Sequence, residues 1–155
     1  MEPDNMNKIK LVVVSIMTML VTSAAIASND EHLQHNKEVV TAFYEAAINR
    51  KDFSAAETYM GPYYKQHNPM AEDGKEGFKK FIDYLRSTYP HAHSDIKRIM
   101  AEDNYVVLHV HSVKVPHTRG QAIVDIFRLE NGKIVEHWDV IQEVPEKAAN
   151  ENGMF

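Results

Sequence analysis

Nine histidines and no cysteine stand in this 155-residue chain, so its side-chain chemistry near neutral pH rests on imidazoles and carboxylates. The missing thiol removes disulfides, thiolate zinc sites, iron–sulfur clusters and a cysteine nucleophile together. The densest chemical grouping is Asp125, His137 and Asp139, set among Ile123, Phe127, Val135 and Ile141 around an Asn131-Gly132 turn. A carboxylate beside an imidazole can take up, hold and return a proton. His109 and His111 are two residues apart in an apolar run and share one side of a strand. Tyr63 to Pro69 reads as a loop, with Pro69 biasing Asn68 toward extended backbone, and could lay His67 and Asn68 over the open end of a sheet.

Positioning these groups requires a hairpin. A two-residue type I′ turn at Asn131-Gly132 would set Asp125 against Trp138 and send Asp139 to the other surface. A type I turn with Gly132 in a bulge would pair Asp125 with His137 and Ile123 with Asp139. The second register is preferred because it keeps the polar cluster on one face. The opposite face then carries Val124, Ile126, Arg128, Glu136, Trp138 and Val140, a mixed surface suited to a subunit contact. His109 and His111 either join the cluster in a cavity beneath the helices or lie on the solvent side.

Apolar residues from Val39 to Ala47 recur at three and four and predict an amphipathic helix. Asp52 or Ser54 can cap a second, short helix running to Met60 and stopped by Gly61-Pro62. Phe78, Phe81, Ile82 and Leu85 predict a third after Gly74, closed by Pro90. Beyond Pro90 the period becomes two, with strands at 94–100, 105–115, 122–129 and 133–143. Helices first and an antiparallel sheet afterwards predict an α+β domain.

Residues 1–27 read as a secretory signal peptide. Lys8 and Lys10 precede the apolar run Leu11 to Val21, and Ala25-Ile26-Ala27 supplies the cleavage pattern. The run is shorter than the ~20 residues of a membrane span. A single domain over 28–155 is thus expected to work in the periplasm or outside the cell, free of the membrane once the leader is cut. Removing the leader takes away Glu2, Asp4, Lys8 and Lys10, so the net charge of −5 is unchanged. With 17 basic against 22 acidic residues there is no positive field for a nucleic acid. No phosphate-cradling glycine loop and no Gly-x-Ser-x-Gly elbow is present.

Tyr64-Lys65-Gln66-His67-Asn68-Pro69, the hairpin Asp125 to Gln142 and the ending Asn152-Gly153-Met154-Phe155 together resemble the SnoaL-like polyketide cyclase family of the NTF2-like superfamily. The resemblance spans about residues 36–155. It implies a cone in which helices pack on a strongly bent antiparallel sheet enclosing a pocket, often as a homodimer joined sheet to sheet. It also implies cofactor-free aldol chemistry assisted by an aspartate on the last strand, which Asp139 matches.

Such chemistry needs a base beside a carbonyl and a donor for the enolate oxygen. Asp139 is the expected base, His137 the donor, and Asp125 the residue that orients His137. His67, Asn68, His109, His111 and Phe127 are the expected substrate contacts. No cofactor and no metal are expected, and the partner is a small-molecule ligand or substrate. Two alternatives stay open: a periplasmic protein that binds a small ligand without turnover, and a metal site built from His109, His111, His137 and a carboxylate. His32, His35, His91, His93 and His117 are expected at the surface.

Overall fold

A computed structural model describes residues 29–155. The predicted leader, 1–27, and its cleavage point lie outside them. His35–Phe155 forms one compact unit.

Helix α1 is described from residue 29 to 44 and ends in a π-helical turn, Glu45–Asn49. Its stripe of Val39, Val40, Phe43, Tyr44, Ala46 and Ala47 is buried, as the three-and-four spacing requires. Helix α2, Phe53–Glu57, is capped by Asp52, whose carboxylate accepts from the Ala55 N–H at 3.0 Å. Helix α3, Gly74–Thr88, buries Phe78, Ile82 and Leu85. Among the described residues no helix is long and apolar enough to cross a membrane.

Five strands follow one another across a curved sheet in the order β1-β5-β4-β3-β2. They are β1 (Met60–Gln66), β2 (His93–Glu102), β3 (Tyr105–Val113), β4 (Gln121–Glu130) and β5 (Lys133–Glu143). Strand β1 corrects the sequence reading twice. The second helix stops at Glu57 rather than Met60, and the segment read as a loop pairs in parallel with β5, so the sheet is mixed rather than antiparallel. Gly61-Pro62 does not end a helix; it sits in an edge strand, where a missing N–H is tolerated. Gly61 is there for room, since a Cβ would come within 2.5 Å of Val135 Cγ1.

The β4–β5 register also differs from expectation. Asn131 and Gly132 both have positive φ, 50° and 70°, which is the type I′ geometry, and Glu130 pairs with Lys133 across it. The extra residue lies further along, at Val135, between the pairs Leu129–Ile134 and Arg128–Glu136. Asp125 therefore faces Asp139, and Phe127 faces His137. A bulge inside the strand restores the parity that the turn alone would have broken, so Asp125, His137 and Asp139 still share a face.

Helices and sheet meet over an aromatic core. Phe43 stacks on Phe78 at 5.3 Å between centroids and meets Phe127 edge-on at 5.8 Å, while Tyr64 packs on Phe78 at 5.3 Å. Val106, Leu108 and Val110 close the floor from β3.

Candidate active site

Strand alternation fixes which side chains meet. On β4 and β5 the helix-facing positions are Ile123, Asp125, Phe127, His137 and Asp139, and Arg128, Glu136 and Trp138 take the outer face. Asp125 and His137 are buried, with His137 Nε2 3.0 Å from Asp125 Oδ1. Oδ2 of Asp125 is buried and meets no hydrogen-bond partner among the described residues. Asp139, half-buried, accepts through Oδ2 from Asn68 Nδ2 at 2.6 Å.

Strand β1 completes the cluster. Its parallel pairing sets Gln66 beside His137, and Gln66 Oε1 lies 3.0 Å from His137 Nδ1. Gln66 Nε2 donates to the Tyr64 hydroxyl at 3.3 Å, and the Asp73 carboxylate holds the Gln66 backbone N–H at 2.8 Å. Burial first, then the charge of Asp125, pushes the phenols of Tyr44 and Tyr64 far above their ordinary value. Both therefore remain protonated hydroxyls beside the carboxylates. Tyr44, Tyr64 and Gln66 were missed in the sequence. Alternation along Tyr64-Lys65-Gln66-His67 would have found two of them had the segment been read as a strand.

Several expected contacts lie elsewhere. His67 is on the outer side, stacked on Trp138 at 4.6 Å and 7°, with Nε2 2.8 Å from Glu136 Oε1. His109 and His111 project from the face opposite Leu108 and Val110, because those apolar residues claim the core side. His109 stacks on Phe155 at 5.5 Å, the His111 ring lies tilted against it at 4.4 Å, and His111 Nε2 meets the Arg119 carbonyl at 2.8 Å. The metal set of His109, His111 and His137 is thus divided between two faces of the sheet. Phe127 is fully buried core, 4.8 Å from the His137 ring, and supports that ring instead of lining open space.

Asp125, His137 and Asp139 each offer an atom within 4.8 Å of the others. That compactness would suit a cation, yet hydrogen bonds to Gln66, Asn68 and one another already account for both ring nitrogens and two carboxylate oxygens. On the outer face, burial works against the Glu136 charge, but hydrogen bonds from His67, Arg128 and Lys65 outweigh it and hold the carboxyl at about 2. A cavity of about 570 Å³ opens at the far strand ends, lined by Tyr89, Ser112, Lys114, Arg119, Gln121 and Glu143 among others. Gln121 and Asp125 are four residues apart on β4 and so share a face, about 13 Å from one another along the strand.

Fold and site define an α+β protein of NTF2-like architecture with a carboxylate–imidazole cluster on the helix-facing side of its sheet. The chain belongs to the SnoaL-like domain family, which it matches over residues 40–137. AclR from Streptomyces galilaeus is 25% identical, with 73% of this chain and 82% of that one covered at a TM-score of 0.59. A candidate polyketide cyclase from Acidithiobacillus ferrooxidans shares the fold at 19% identity, covering 69% and 87%, with a TM-score of 0.59. Another from Bacillus cereus does so at 18%, covering 69% and 74%, with a TM-score of 0.60. No curated protein matches the sequence at a significant level.

Proposed function

We propose that this protein is an exported, cofactor-free acid–base enzyme that forms an enolate from a small carbonyl compound and directs it to an aldol-type cyclisation or an isomerisation. The observation that carries this reading is the asymmetry of the two carboxylates. Asp139 is only partly buried, with Oδ1 free of hydrogen bonds among the described residues, while Asp125 is buried against His137. Asp139 Oδ1 removes a proton from the carbon beside the carbonyl, and the C–H electron pair moves into the enolate. The His137–Asp125 pair supplies a proton to the carbonyl oxygen. In a cyclisation the enol carbon then attacks a second carbonyl of the same molecule, whose oxygen takes the proton held by Asp139, while the first carbonyl re-forms and its O–H proton returns to the His137–Asp125 pair. Family membership and the candidate polyketide cyclases among its structural relatives support this chemistry.

The leader-like residues 1–27 support work in the periplasm or outside the cell. The mixed outer face, with Val124, Val140 and Trp138 beside Arg128 and Glu136, supports a homodimer, which static light scattering would test. The strand-end cavity favours a second reading, binding of a small ligand without turnover.

The test is proton exchange in deuterated water, followed by NMR for a panel of small ketones and 1,3-dicarbonyl compounds. The protein should speed exchange at the carbon beside the carbonyl, and Asp139→Asn should lower that rate by about 10²–10⁴-fold. Exchange no faster than in buffer, or equal in Asp139→Asn, overturns the assignment.

A further inference from the structure

The loop after β1 decides where the protons of the site reside. The Asn68 backbone N–H can only donate, and it meets Gln66 Oε1 at 2.9 Å, so the orientation of that amide is settled. The same oxygen lies 3.0 Å from His137 Nδ1 and has no proton to give, hence Nδ1 must carry one. The other ring nitrogen faces Asp125 Oδ1 at 3.0 Å, and a hydrogen bond there needs one proton on either atom. Imidazolium with carboxylate, or neutral imidazole with carboxylic acid, contain the same number of protons. The Asn68 side chain is settled likewise. Its Oδ1 accepts from the Met70 N–H at 2.8 Å, which leaves Nδ2 to donate to Asp139 Oδ2.

We infer that Gln66 is a positioning residue: its amide oxygen, aimed by the Asn68 N–H, keeps a proton on His137 Nδ1 and so stores a second, transferable proton between His137 Nε2 and Asp125 Oδ1. The pair is then the acid of the site, and Asp139, clamped through Oδ2 alone, is the base. The titratable groups around the pair are Asp139 on β5, Tyr44 on α1 and Tyr64 on β1, and the two phenols keep their protons. In turnover the stored proton passes to the enolate oxygen as Asp139 takes the carbon-bound one. It returns to the pair when the carbonyl re-forms. The catalytic meaning rests on the acid–base reading above, whereas the proton's position can be measured without substrate.

The experiment is nitrogen-15 NMR at neutral pH, correlating the carbon-bound ring protons of His137 with both ring nitrogens. The wild-type protein should show a protonated Nδ1. Gln66→Met, which keeps length but loses the acceptor, should lose that signature, and Gln66→Glu, which keeps an acceptor, should retain it. A bare Nδ1 in the wild-type protein overturns the inference whatever the variants do, and so does a Gln66→Met protein whose Nδ1 is unchanged. Carbonyl exchange absent beside a protonated Nδ1 would sink the enzyme reading while leaving the Gln66 assignment intact.

Discussion

Replacing Glu136 by Gln should weaken the protein's resistance to neutral and mildly acidic denaturation, and the loss should fade as the pH falls. Glu136 sits at the centre of the outer-face network, with Arg128 Nε at 2.7 Å, His67 Nε2 at 2.8 Å and Lys65 Nζ at 3.4 Å. These partners overcome burial and bring its carboxyl from the ordinary 4.5 to about 2. A folded-state value below the unfolded one means that stability is fully present above about pH 5 and is lost as the pH drops toward 2. At about 1.4 kcal/mol per pH unit the shift corresponds to about 3 kcal/mol. Lys65 and His67 face water, and solvent screening reduces the expected contribution to roughly 1–2 kcal/mol. Urea unfolding of wild type and Glu136→Gln at a series of pH values from 7 to about 2 measures it. The two stability curves should be separated at pH 7 and converge below pH 3. Parallel curves, or a gap that widens in acid, would show that its partners do not hold the Glu136 carboxyl below its ordinary value.

Other perturbations probe the core and the site. Phe43→Ala removes the ring that joins Phe78 to Phe127 and should cost about 3–5 kcal/mol in denaturant unfolding. Gly61→Ala forces a methyl against Val135 Cγ1 and should cost about 1–3 kcal/mol, which a lowered melting temperature would report. Asn68→Ala removes the 2.6 Å hydrogen bond to Asp139, a charge-assisted contact of about 1.5–3 kcal/mol; carbonyl exchange should change by at least about tenfold while the fold persists.

How far the sequence could be read depended on periodicity. Val39, Val40, Phe43 and Phe78, Ile82, Leu85 announce their helices because each has a continuous apolar stripe. β1 was hidden because Gly61-Pro62 carries the local signal of a stop, whereas the strand is held by non-local pairing with β5. Read as a loop, the segment leaves Tyr64 and Gln66 unassigned and sets His67 over the sheet, whereas strand alternation brings Tyr64 and Gln66 to the site and turns His67 outward. Asp125, His137 and Asp139 were found together despite a wrong pairing, because face membership depends only on parity and the Val135 bulge preserves it. His109 and His111 could not be placed by spacing alone. Both strand faces are partly apolar, and only the packing of Leu108 and Val110 against the helices shows which is inside.

A crystal structure of the protein with a small, unreactive enol mimic bound tests the roles of Asp139 and the His137–Asp125 pair together. The carbon corresponding to the enolate terminus should lie about 3–3.5 Å from Asp139 Oδ1, with its oxygen turned toward the His137–Asp125 pair. A mimic seated only among Tyr89, Lys114 and Arg119, with Asp139 unengaged, would contradict those roles.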